Sequence, residues 1–121
     1  MASGLHALII EDEIVVGYDV QLALAELGFE SFAFASTVVQ ALEQAQVRKP
    51  DLLTVDLSLL DGDGVDAAGV IHRTIGPTPT IYVTGQPRSL ACHPHAVVVE
   101  KPFAAHDIAK AYQRVCRRMT V

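Results

Sequence analysis

Four short apolar runs in this chain each end in, or run into, a residue that could handle phosphate. Glu11 and Asp12 follow Leu5–Ile10, Asp56 closes Leu52–Asp56, Thr84 closes Thr80–Thr84, and Lys101-Pro102 follows Ala96–Glu100. Brought together, three carboxylates would repel one another and one would be forced to hold a proton. A hard divalent cation removes that cost. Mg²⁺ takes oxygen ligands, keeps several waters and is often held by one or two carboxylates plus a phosphate, and Mn²⁺ would suit the same oxygens. An ammonium and a hydroxyl beside it could bind the other phosphate oxygens. A carboxylate in that setting can itself be the nucleophile, giving an acyl phosphate on aspartate.

These residues can share a pocket only if the elements before them run side by side. Leu5–Ile10 is a nearly continuous apolar run, as in a strand buried on both faces. Ile14, Tyr18, Leu22 and Ala25 then recur at helical spacing, and Gly28 is placed to stop that helix. Phe29–Ala35 reads as a strand; Ser36 can cap a helix carrying Val38, Ala41, Leu42 and Ala45, which Lys49-Pro50 ends. After Leu52–Asp56 come a loop rich in glycine and aspartate, Asp61-Gly62-Asp63-Gly64, and a weakly helical stretch from Val65 to Arg73 that contains Gly69. Gly76-Pro77-Thr78-Pro79 is a turn, Thr80–Thr84 and Ala96–Glu100 are strands, and Ile108, Tyr112, Val115 and Met119 mark a last amphipathic helix. Tyr18, Tyr112 and Met119 are expected in the core. Such alternation implies a parallel sheet covered on both faces, with ligands at the carboxyl ends of its strands. The eleven residues 85–95, interrupted by Pro87 and Pro94, barely suffice for a crossover, so the fourth helix should be short or absent.

Composition narrows the class. The 121 residues are 50% hydrophobic, with mean hydropathy +0.32, which fits one domain with a real core and excludes a disordered chain. With 9 Lys and Arg against 14 Asp and Glu, net charge −5, the chain lacks the basic balance of a non-specific nucleic-acid binder. Cys92 and Cys116 have neither CxxC nor zinc spacing and read as free thiols in a reducing compartment. No apolar run nears the roughly 18 residues of a membrane span, and the N-terminus lacks a basic flank, so a cytoplasmic protein is expected.

Four motifs, in order and each at a strand end, resemble the receiver domain of two-component response regulators, the CheY-like fold. They are Glu11-Asp12, Asp56-Leu57-Ser58-Leu59-Leu60-Asp61-Gly62-Asp63-Gly64, Thr84-Gly85 and Lys101-Pro102-Phe103. The resemblance covers essentially the whole chain as one domain, residues 1–121. It implies a doubly wound, five-stranded parallel sheet in the order 2-1-3-4-5. It also implies that Asp56 accepts a phosphoryl group from a histidine kinase or histidine phosphotransfer protein. Asp12, Asp56 and the Ser58 backbone carbonyl would be the Mg²⁺ (or Mn²⁺) ligands, and Glu11 would act through metal-bound water. Thr84 and Lys101 would hold the phosphoryl group. Ser58 and Gln86 would flank the attacking water and tune hydrolysis. Gly85 and Pro102 would belong to the switch loops, with Lys101-Pro102 where the family commonly has a cis bond. Such a protein would be no enzyme beyond its own phosphorylation and dephosphorylation. It would act as a switch, shuttle or sink without an output domain, as a monomer or weak dimer, with no nucleic acid or membrane partner and a downstream partner the sequence does not name.

The chain departs from the family at Leu60, where proline is usual, at Gly85, where alanine is usual, and at Val98, where an aromatic residue usually reports phosphorylation. Tyr82 is the nearest aromatic. Stand-alone receivers with a Thr-Gly loop and a short fourth segment are the most similar subgroup. Val98 and the cramped fourth segment motivate one alternative, a phosphorylation-independent pseudo-receiver serving as a binding scaffold. A phosphohydrolase of the haloacid dehalogenase type would need an aspartate where Ser58 stands. The Asp61–Gly64 loop lacks the ligands of a calcium loop. Cys92, His93 and His95 read as an exposed loop rather than a metal set, and Arg114, Arg117 and Arg118 as favourable charges at a helix end.

Overall fold

The computed structural model describes residues 4–91 and 93–119. Strands β1 (Leu5–Ile10), β2 (Phe29–Ala35), β3 (Leu52–Val55), β6 (Thr80–Thr84) and β7 (Val97–Glu100) form one parallel sheet in the order β2-β1-β3-β6-β7. This is the expected 2-1-3-4-5 order once a small antiparallel hairpin, β4 (Ser58–Leu59) and β5 (Gly62–Asp63), is set aside. The hairpin replaces part of what the sequence reads as an open loop. The helices are α1 (Ile14–Glu26), α2 (Val38–Val47), α3 (Gly64–Ile75) and α4 (Ala105–Met119). A 3₁₀ turn, Pro87–Leu90, stands where a fourth crossover helix was expected to be short or absent. No helix among the described residues is long and apolar enough to cross a membrane.

Local chemistry accounts for the boundaries. Gly28, at φ 103°, ends α1 in a conformation glycine adopts freely. Thr37, not Ser36, is the N-cap of α2: its side chain accepts from the Gln40 N–H, while Ser36 bonds the Gln40 side chain. Asp63 caps α3 by accepting from Val65 N–H at 2.6 Å.

Two apolar layers flank the sheet. On one face Val20, Ala23 and Leu24 of α1 and Ile108, Ala111 and Val115 of α4 pack on Ala7, Ile9, Ile81 and Val99. On the other, Ala41 and Ala45 of α2 and Ala67, Ala68 and Ile71 of α3 pack on Leu8, Ile10, Leu53 and Val55. Each large side chain so buried contributes about 1.5–3 kcal/mol. The second layer is incomplete. Ile81, Val83, Val97 and Val99 are 0–4% exposed beneath α4, whereas Tyr82, Ala96 and Val98, on the opposite face of β6 and β7, are only half-buried.

The expected core stripe of α1 is corrected by the structure. Tyr18 is 57% exposed, Ile14 75% and Leu22 65%, and the helix buries Gly17, Val20, Ala23 and Leu24 instead. Val20 and Leu24 fill the layer shared with α4, and the stripe of Ile14, Tyr18 and Leu22 points outward. Tyr112 does pack against the core, edge-on to Phe29 at 5.3 Å between ring centroids. Cys116 is half-buried and forms no disulfide among the described residues; Cys92 and the Met119 side chain lie outside them.

Candidate functional site

Parallel register brings the strand ends to one edge. Asp56 N–H donates to Ile10 O at 2.9 Å, which sets Asp56 beside the end of β1, and Lys101 N–H donates to Thr84 O at 2.8 Å, which aligns β7 with β6. Glu11, Asp12 and Asp56 consequently offer carboxylate oxygens that all lie within 4.8 Å of one another, a group able to hold a metal ion. Lys101 Nζ reaches into the same cluster, 3.1 Å from Glu11 Oε1, 3.5 Å from Asp56 Oδ1 and 3.7 Å from Glu13 Oε1. The Lys101-Pro102 bond is cis, as the resemblance implied.

Crowding sets the protonation of the cluster. Burial, then the Asp56 charge, pushes Glu11 up to about 7 from 4.5. Burial also raises Asp56; the Lys101 ammonium and a hydrogen bond with Glu11 hold it down in part. Burial alone would lower Lys101, but the Glu11, Asp56 and Glu13 carboxylates outweigh it and raise the ammonium's pKa. The pocket thus has an excess of negative charge that a divalent cation would relieve.

Thr84 is 3% exposed, and its Oγ1 accepts from Gln86 N–H at 2.9 Å. A hydroxyl has one proton, so this leaves Thr84 free to donate it. Gln86, Gly85 and Ser58 are exposed at the rim. Tyr82 lies in register with Val98 on the adjacent strand, on the same face of the sheet.

The sequence reading named no role for three residues here. Glu13 is the third carboxylate on Lys101. Gly64 begins α3 so close to the end of β3 that a Cβ there would press on the Asp56 carbonyl oxygen and lie 2.8 Å from Val55 Cγ1 and 2.9 Å from the Asp56 carbonyl carbon. Asp61 turns away from the cluster and bonds the N-terminus of α2. A glycine directly after the capping Asp63 was the available signal for Gly64; the Asp61 contact spans 23 residues and left none.

Beside the carboxylates a cleft of about 440 Å³ runs between α1 and β2, walled by Ile14, Gly17, Tyr18, Phe34, Gln40 and Leu60. The Tyr18 and Phe34 rings meet edge-on at 6.0 Å, and the Phe34 ring lies beside Gly17.

A family model described as the response regulator receiver domain matches residues 7–113. The chain belongs to the response regulator receiver family. It is 32% identical over 118 residues to the transcriptional regulatory protein PdtaR of Mycobacterium tuberculosis, covering 93% of this chain and 57% of that protein. It is 32% identical over 108 residues to the phyllosphere-induced regulator PhyR of Methylorubrum extorquens, covering 88% of this chain and 38% of that one. The receiver therefore spans little more than half, or less, of these relatives. Among solved structures, the receiver domain of Erythrobacter litoralis PhyR superposes with a TM-score of 0.85 at 26% identity, covering 95% of this chain and 92% of that one.

Proposed function

We propose that this receiver accepts a phosphoryl group on Asp56 from the phosphohistidine of a histidine kinase or phosphotransfer protein in the cytoplasm, with Mg²⁺ held by Asp12, Asp56 and the Ser58 carbonyl. The observation that carries this reading is the convergence of Glu11, Asp12 and Asp56 within 4.8 Å, with Lys101 3.5 Å from Asp56. A bound divalent cation would supply neutralising charge and orient the phosphoryl oxygens. An Asp56 carboxylate oxygen attacks phosphorus, the P–N bond to the donor imidazole breaks, and its electron pair returns to the ring nitrogen. Lys101 leaves its shared position among the carboxylates to pair with the transferred group. Thr84 donates its hydroxyl proton to a phosphoryl oxygen while Gln86 N–H still holds its oxygen. Ser58 and Gln86, both at the rim, govern water's approach to the acyl phosphate, and so its lifetime. The chain turns over no other substrate.

The exposed stripe of Ile14, Val15, Tyr18 and Leu22, 57–75% exposed and next to the cluster, is the surface that meets the donor. Its apolar area beside acidic residues suits a partner presenting apolar and basic side chains around its phosphohistidine.

Incubation with Mg²⁺ and acetyl phosphate, followed by intact mass measurement, tests the reading. One added phosphoryl group on the wild type and none on Asp56→Asn is expected. An unmodified wild type at every donor concentration would leave a phosphorylation-independent scaffold as the better account.

A further inference from the structure

Asp61 occupies the two-residue turn of the β4–β5 hairpin, yet it spends both carboxylate oxygens on another element. Oδ1 accepts from Val38 N–H at 2.6 Å and Oδ2 from Val39 N–H at 3.4 Å, so the first turn of α2 is capped from outside as well as by Thr37. The hairpin is held against that helix and the residue leading into it at two more points. Leu60 N–H donates to Ser36 O at 3.4 Å, and Gly62 approaches so closely that a Cβ would lie 3.1 Å from Val38 Cγ2. At its other end the hairpin begins with Ser58, two residues past Asp56, and Gly64 N–H closes it by donating to Leu57 O at 2.9 Å. The segment that carries the Ser58 carbonyl is therefore short, paired to β5 by Ser58 and Leu59, and tied to α2 at its tip.

We propose that Asp61 is a positioning residue for the metal and phosphoryl site: by bonding the α2 N-terminus it fixes the hairpin and, through it, the Ser58 carbonyl. This rests on the reading of Asp56 as a Mg²⁺-dependent phosphoacceptor. A small displacement of a ligand costs affinity because the remaining ligands are fixed to strands. The coupling is reciprocal, so occupation of the metal site must be felt at Val38 and Val39.

Amide NMR during Mg²⁺ titration of the whole chain tests this. In the wild type the Val38 and Val39 amides should shift with the same midpoint as those of Asp56 and Ser58. Asp61→Ala should weaken Mg²⁺ binding roughly fivefold, as expected for loss of a strong cap, and silence Val38 and Val39. Asp61→Asn loses the same charge but keeps an acceptor oxygen, and should stay within about twofold of the wild type. Equal weakening in both variants would show that only the charge matters and would overturn the proposal. So would Val38 and Val39 amides that ignore Mg²⁺ in the wild type, a comparison that stands even if Asp61→Ala fails to fold. If the Asp56 and Ser58 amides also ignore Mg²⁺, the metal reading falls and takes this inference with it.

Discussion

Gly64→Ala concentrates the reasoning about the site in one methyl group. The new carbon would press on the Asp56 carbonyl oxygen, 2.8 Å from Val55 Cγ1 and 2.9 Å from the Asp56 carbonyl carbon. Two of these three atoms belong to backbone, so no rotamer change relieves the contact. Either α3 backs away from β3 or the peptide after Asp56 shifts. Overpacking of this kind costs about 1–3 kcal/mol, and a backbone obstacle belongs at the upper end, while the helix-propensity gain of alanine, at most ~1 kcal/mol, is small at a first helical position. With an unfolding entropy of roughly 2.1 cal/mol/K per residue, a net cost of ~2 kcal/mol lowers the Tm of a chain this long by about 8 °C. Gly85→Ala is the control: nothing lies within 4 Å of a Cβ there, and its Tm should move by no more than about 2 °C. Thermal unfolding followed by circular dichroism reads the stability, and acetyl phosphate labelling should slow in Gly64→Ala because the phosphoacceptor's own peptide is displaced. A Gly64→Ala protein as stable as the wild type and labelled at the same rate would refute the claim that α3 is packed against the Asp56 peptide.

Two further outcomes follow from the site. Glu11 keeps its proton up to about pH 7 in the native chain against an ordinary 4.5, so between those values the native state binds the extra proton and metal-free stability falls as pH rises, by ~3 kcal/mol at most. Burial lowers His6 and His72 and acts in the opposite sense, so the reference is Glu11→Gln; urea midpoints from pH 5 to 8 should fall more in the wild type than in that variant, and a steeper fall in Glu11→Gln would contradict the assignment. Leu22→Ala removes an exposed side chain and should change stability by no more than about 0.5 kcal/mol. Tyr18→Ala also loses the edge-on Phe34 contact and should cost about 1 kcal/mol, and acetyl phosphate labelling should be unaffected in both. Transfer from a phosphorylated histidine kinase should nevertheless drop about tenfold; unchanged transfer would place the donor elsewhere.

The carboxylates, Thr84 and Lys101 were legible because each follows an apolar run, and parallel pairing brings such positions to one edge. The face of α1 was not legible. Ile14, Tyr18, Leu22 and Ala25 recur at helical spacing, yet Ile14, Tyr18 and Leu22 are exposed. The structure buries the other stripe, Gly17, Val20, Ala23 and Leu24, whose Val20 and Leu24 fill the layer shared with α4. A side chain that binds across sequence, as Asp61 does, leaves no trace in local periodicity. The shortened fourth crossover could be read from residue count and prolines alone, since chain length limits what a segment can span.

The incomplete layer over β6 and β7 divides the carboxyl edge of the sheet into two mechanical halves. Glu11, Asp12 and Asp56 follow β1 and β3, which helices cover on both sides; Thr84 and Lys101 belong to β6 and β7, which α4 covers while Tyr82, Ala96 and Val98 stay half-buried across the sheet. Fewer buried contacts mean a smaller free energy of local opening, so the second half breathes more readily than the first. A phosphoryl group on Asp56, gripped by Thr84 and Lys101, would bridge firm ground to loose ground. It would act as a rivet, and the signal it sends would be a gain of stiffness along the outer strand.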